Sequence, residues 1–309
     1  MGGVSDRLGR AGKGWERLLN ASNPCYKAAV ALDPSKTGSR TDEHRFIYDE
    51  RDTILYHLGV GASGARNLDL LYEGRGPKVL PTYAVVMAFP AVTELFDIAM
   101  GGDLSDIVHG AQAIRVHGPI PPKGEVVSTG KIEGVYDLRR LAVTILSTET
   151  RSVDGELLAE TEWEIVHLRS GGFGGERPPK KERPKVPDTA PLFEREVETH
   201  VDQALLYRLS GDRNPLHADP DFAKKVGFDR PILHGLCTYG IAARVLVDEL
   251  AGGDVDKLVA LRGQFSKPVF PGERLIVRAH ELEAGVRVEV ESVERSEIVF
   301  ASGTAEFRR

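Results

Sequence analysis

Between residues 211 and 220 the chain reads GDRNPLHADP, which gathers an acid, an amide and an imidazole, Asp212, Asn214 and His217, around Pro215. A turn that stops a helix needs only the Asp, the Asn and the Pro. The histidine is left over, and an imidazole close to a carboxylate is a pair suited to moving protons. Further on, Gly235 stands just before the helix candidate LCTYGIAARVL. Backbone N–H groups at a helix start have no internal partner and sit at the positive end of the macrodipole. A glycine there lets a ligand oxygen approach without a side chain in the way. The segment therefore offers an acid/base pair together with an oxyanion hole. His234 reads as a structural residue ahead of the helix. Cys237 reads as a small buried apolar residue, because no base partner for a thiol nucleophile is visible.

These groups need elements to hold them. The clearest break is SGGFGGERPPKKERPKVPDTAP, residues 170 to 191, which is Gly-rich and then Pro- and Lys-rich. It reads as a linker over 171–191 between two packed units, and GGFGG reads as part of it rather than as a phosphate cradle. The units flanking it, 43–170 and 192–309, share a layout, which points to internal duplication. Each has a helical stretch (DTILYHLGVG, QALLYRLSGD), then a long helix (YAVVMAFPAVTELFDIAM, CTYGIAARVLVDELA), then strands opened by Pro and Gly. Period-two alternation as in RVEVESVE marks the strands, and Asp154-Gly155 marks a hairpin turn. One long apolar helix per unit, with Ile241, Val245, Leu246 and Leu250 for burial in the second, predicts a sheet wrapped around a central helix. The expected class is α+β, a double hot-dog of two such units side by side.

The chain has 309 residues, 41% hydrophobic and 28% charged, with a net charge of −6 and two cysteines, Cys25 and Cys237. This is an ordinary globular composition. The mild negative charge argues against nucleic acid as a partner. Two distant cysteines make neither a disulfide framework nor a zinc pattern, and a reducing, cytoplasmic setting is expected. No apolar run is read as approaching the ~20 residues of a membrane span. Residues 1–42 lean basic, lack a signal-peptide core, and read as an N-terminal extension.

YRLSGDRNPLHADPDFA followed by PILHGLCTYG resembles the signature of the R-specific (type 2) enoyl-CoA hydratases of the MaoC-like dehydratase family. VLPTYAVV, VHGAQ, SGGFGGERPP and FSKPVFPGE resemble its two-domain eukaryote-type members, over roughly residues 43 to 309. The resemblance implies that Asp212 and His217 hold and activate a water, that Asn214 orients the water or the loop, and that the Gly235 N–H stabilises the thioester oxygen. It implies addition of water to a trans-2-enoyl-CoA of medium to long chain, giving the (3R)-3-hydroxyacyl-CoA. No metal or redox cofactor is expected, CoA being part of the substrate, and a homodimer is expected.

The first unit departs from the pattern. LGVGASGARNL replaces LSGDRNPLH, and Pro81 and Thr82 replace His234 and Gly235. The resemblance implies a catalytically silent unit that lodges the acyl chain, with room made by loss of part of its central helix. Pro90, inside VMAFPAV, is expected to break or kink that helix. Asp69 and Asp103 of this unit are expected to be dispensable. For CoA the resemblance points to His109, Gly110 and Phe265. Family members often carry a Lys in the turn where this chain has Arg139 and Arg140, so either arginine is a candidate for a phosphate. Rival readings are a (3R)-hydroxyacyl-thioester dehydratase, a non-catalytic acyl-CoA-binding hot-dog and a thioesterase.

Overall fold

The computed structural model describes residues 32–100, 107–181 and 183–308. Most of the N-terminal extension, with Cys25, lies outside the described residues, as does Asp103. The first half runs β1 (His44–Tyr48), α1 (Glu50–Gly59), α2 (Leu68–Leu71), α3 (Ala84–Met100), β2 (Ile107–Val116), β3 (Gly124–Asp137), β4 (Ala142–Ser152) and β5 (Leu157–His167). The second half repeats it as β6 (Phe193–Glu198), α4 (Gln203–Tyr207), α5 (Pro220–Lys225), α6 (Gly235–Ala251), β7 (Leu258–Phe265), β8 (Arg274–Glu281), β9 (Val286–Ser292) and β10 (Glu297–Phe307).

The ten strands form one sheet in the order β1-β3-β4-β5-β2-β7-β10-β9-β8-β6. That order is a mirror about its centre. Each half contributes five antiparallel strands, and the halves join where β2 pairs with β7, from Ala111 opposite Gln264 to Arg115 opposite Ala260. Alternation in β5, LLAETEWEIVH, turns Trp163 and Ile165 to the core and Glu160, Glu162 and Glu164 outward. The concave face of each half takes one long helix. In α6 every residue from Leu236 to Val247 is buried, which a helix apolar all round requires. It ends at Gly252, whose φ of 61° is the left-handed conformation of a helix C-cap.

Two expectations need amending. Helix α3 runs unbroken through Pro90 and has the same 17 residues as α6. The first half therefore gains no room from a shortened helix. Proline costs α3 one backbone bond, while Val85, Met87, Val92 and Leu95 are buried against the core, and that burial prevails. Second, Pro81–Ala99, at 19 residues, is long and apolar enough to cross a membrane by length and composition. Here its apolar surface is covered by β3, β4 and β5. The segment between the units is irregular and is anchored to both. Asp137 at the end of β3 accepts the amides of Gly172 (2.9 Å) and Gly174 (2.6 Å), so GGFGG wraps a carboxylate of the protein itself. Gly172 and Gly174 have φ of 90° and 80°, which glycine adopts without strain. Lys181 then pairs with Glu162 at 2.8 Å, and Pro184 accepts from Arg287 at 3.0 Å.

Candidate active site

A cavity of about 400 Å³ lies between the halves. Its polar end is built by the loop after α4. The Asp212 carboxylate accepts the Asn214 amide at 3.1 Å, and the Asn214 side chain accepts the Leu216 amide at 3.0 Å, capping the 3-10 turn Pro215–His217. These two bonds turn the chain so that Asp212, Asn214 and His217 face one space. His217 donates through Nδ1–H to the carbonyl of Ile232 at 2.8 Å. That bond settles the tautomer and leaves Nε2 as a lone pair, 4.0 Å from the Asp212 carboxylate. Burial lowers the His217 pKa, partly offset by the Asp212 charge, so the ring is held neutral.

His234 joins this group, although the sequence suggests only a structural role. Its ring stacks on His217 with centroids 3.6 Å apart, and its Nε2–H donates to the Asp212 carbonyl at 3.1 Å. Burial, and then the neighbouring His217, keep its pKa well below the ordinary imidazole value. Its order in the sequence, directly before the helix glycine, carries no sign of this contact.

Gly235 opens α6. The amides of Cys237 and Thr238 return to the His234 carbonyl at 3.0 and 3.3 Å, which leaves the Gly235 and Leu236 amides at the helix start. A Cβ at position 235 would lie 3.0–3.1 Å from three carbons of the Phe265 ring, so any larger residue there would press on the ring by a few tenths of an ångström. Phe265 in turn meets His109 edge-on at 4.9 Å, and His109 stacks on Trp163 at 5.2 Å. This row crosses the β2–β7 seam and ties the two halves into one wall. Burial pushes His109 down to about 4, so it too is neutral. Beyond the polar end the cavity is apolar, lined by Phe89, Phe96, Ile107, Trp163 and Ile165 of the first half. The alternating strand pattern could have singled out Trp163 as inward-facing, but not as cavity-lining.

Residues 182–301 match the family described as MaoC like domain, and residues 46–168 match the MFE-2 hydratase 2 N-terminal domain. The chain is 40% identical over 292 residues to 3-hydroxyacyl-thioester dehydratase Y of Mycobacterium tuberculosis, covering 90% of this chain and 99% of that one. It is 39% identical over 255 residues to the peroxisomal enoyl-CoA hydratase 2 of Arabidopsis thaliana, covering 76% and 82%. The MaoC-like dehydratase of Phytophthora capsici superposes with a TM-score of 0.80 at 29% identity, covering 90% and 98%. This chain belongs to the MaoC-like hydratase family. The fold is the double hot-dog of that family.

Not every family position converges on the cavity. His109 and Phe265 line it. Gly110 does not; it forms a bulge where β2 meets β5, and a Cβ there would lie 2.7 Å from Val166 and 3.2 Å from the Glu164 carbonyl. Arg139 and Arg140 are exposed in the β3–β4 turn and do not line the cavity either. Leu141, the next residue, packs in a cluster with Val108, which does line the cavity beside His109.

The first half's counterpart of the MaoC-like loop is filled by the protein itself. His57 donates to the Leu70 carbonyl at 2.7 Å and accepts the Leu80 amide at 3.2 Å, so both ring nitrogens are used. Arg244 of α6 donates to the Val60 carbonyl at 3.1 Å, and Asn67 donates to Asp248 at 2.9 Å. Asp69 is remote from the cavity, between Arg75 and Lys78 at 3.5 and 3.7 Å.

Proposed function

We propose that the chain is a (3R)-specific enoyl-CoA hydratase, adding water across the 2,3 double bond of trans-2-enoyl-CoA. The observation that carries this reading is the pair of acceptors, Asp212 carboxylate and His217 Nε2, 4.0 Å apart beside the Gly235 amide. A water with ~2.8 Å hydrogen bonds to both would have them ~90° apart, close to its own bond angle of about 105°. Both its protons then face acceptors, and its lone pairs face the substrate.

The water oxygen bonds to C3 while one proton passes to the Asp212–His217 pair. The double-bond electrons move toward the thioester, whose oxygen takes on enolate charge at the Gly235 amide. The enolate then takes the proton back at C2 from the same face, which makes the addition syn and regenerates the pair. One preorganised donor is worth roughly 3 kcal/mol at such an oxyanion, and positioned acid/base groups ~10²–10⁴-fold. Asn214 holds the loop. The acyl chain lies along the apolar end of the cavity. Phe265 and His109 wall the CoA arm, and Arg139 or Arg140 meets a phosphate, the turn lying beside the cavity wall through Leu141 and Val108. The chemistry needs no metal or redox cofactor. The same site run backwards is a (3R)-hydroxyacyl-thioester dehydratase, the activity in the name of the 40%-identical mycobacterial relative. A homodimer working in the cytoplasm completes the proposal; sedimentation of the purified protein at twice its chain mass tests the first part.

Loss of enoyl absorbance with crotonyl-CoA and trans-2-decenoyl-CoA tests the reading. Rapid loss supports it. Tight acyl-CoA binding without loss points to a binding protein, and release of free CoA to a thioesterase.

A further inference from the structure

We propose that the Thr238 hydroxyl is a second donor to the thioester oxygen, acting beside the Gly235 amide. The proposal rests on the hydratase reading and adds a residue to it.

Thr238 is 2% exposed and lines the cavity, yet its Oγ1 has no hydrogen-bond partner among the described residues. Buried hydroxyls are nearly always paired, and an unpaired one in a cavity wall points to a ligand. A helical threonine usually satisfies its hydroxyl on the carbonyl four residues back. For Thr238 that is the His234 carbonyl, which already accepts the amides of Cys237 and Thr238 itself.

Placement does the rest. Thr238 lies three residues after Gly235 in α6, so the two share a helix face, and helical side chains lean toward the N-terminus. The Thr238 side chain, which carries the hydroxyl, therefore leans toward the first turn of α6, over a position with no side chain of its own. The Phe265 ring closes the opposite side. A carbonyl oxygen becoming an enolate has lone pairs for two donors, and two preorganised donors are a common form of oxyanion hole. A hydroxyl can supply one where a methyl cannot.

Thr238→Val keeps the shape and removes the donor; Thr238→Ser keeps the donor. Valine is expected to lower kcat for crotonyl-CoA by ~10²-fold with KM changed less than ~3-fold, and serine to stay within about fivefold of wild type. A structural role would not move a second readout, the infrared carbonyl stretch of bound [1-13C]butanoyl-CoA. The stretch should shift to lower frequency on wild type and the serine variant, and relax toward its free value on valine. Should valine not fold, Thr238→Ala, which adds no bulk, takes its place in both measurements. Unchanged turnover in the variant lacking the hydroxyl, or an unchanged carbonyl shift, overturns the proposal. If wild type binds butanoyl-CoA but hydrates no enoyl-CoA, the hydratase reading fails while the carbonyl shift still decides whether Thr238 touches the thioester.

Discussion

Replacing Asp212 and His217 singly and together tests whether they act on one water. Asp212→Asn keeps an oxygen to accept the Asn214 amide, now at 3.1 Å, and so spares the loop. His217→Asn places an amide N–H where Nδ1 donates to Ile232, and removes the Nε2 lone pair together with the ring that stacks on His234. The 4.0 Å gap is too long for a direct hydrogen bond and suits a single bridging water. Each single change removes one of that water's two acceptors and should lower kcat by ~10²–10⁴-fold. If both serve the same proton transfer, the second change has little left to remove. The double variant should then fall within about tenfold of the worse single variant, rather than at the product of the two losses. Turnover of enoyl-CoA by all four proteins, with thermal melts to confirm folding, gives the cycle. Multiplicative losses would mean the two groups work in separate steps, and near-normal turnover in either single variant would mean that the pair is misassigned.

Three further outcomes follow from the packing. Burial pushes His57, His109 and His167 down from an ordinary 6.5 to about 4, so each is neutral when folded but takes a proton in the unfolded chain below about 6.5. Stability is therefore full above that pH and drains as pH falls from about 6.5 to about 4, at roughly 1.4 kcal/mol per pH unit per histidine, which denaturant melts would read; flat stability from pH 7 to 5 would refute it. Asp137 is held below its usual carboxylate range by the Gly172 amide first, and by those of Arg139, Gly174 and Gly175. Asp137→Ala should free the linker and speed proteolysis within 171–176 by about tenfold or more, and an unchanged rate would show that the carboxylate does not anchor it. Asp212, His217 and His234 each offer a ligand atom, all within 4.8 Å of one another. Added Zn²⁺ should inhibit reversibly by taking the lone pairs the water needs, and EDTA treatment should leave turnover unchanged; loss with EDTA and rescue by metal would make the ion a participant.

The loop of the candidate site was legible because its parts are local. Asp212, Asn214, Pro215 and His217 sit within one turn, and the bonds that shape the turn run between neighbours. The long helices and the duplicated layout were legible from apolar periodicity. The short edge strands β1 and β6 escaped notice, although FEREVE alternates, because its four charged residues outweigh one phenylalanine and one valine. What depends on distant contacts was not readable. Pro90 argued for a broken helix, and only the burial supplied by β3, β4 and β5 keeps α3 whole. His234 looked structural because its partner, the ring of His217, is 17 residues away in the chain. Arg244 sits in a helix whose sequence says only that it is mostly apolar, and its target, the Val60 carbonyl, belongs to the other half. The glycines of GGFGG say linker, but not that their amides close on the Asp137 carboxylate from the end of β3.

In the proposed reaction Asp212 and His217 deliver hydroxyl and proton to one fixed face of the double bond. The most direct measurement is to hydrate trans-2-decenoyl-CoA with the purified protein and read the product with R-specific and S-specific 3-hydroxyacyl-CoA dehydrogenases. Oxidation by the R-specific enzyme alone is the expected result. Product oxidised by the S-specific enzyme would contradict it, because water would then have added to the face opposite the one that the hydratase reading assigns.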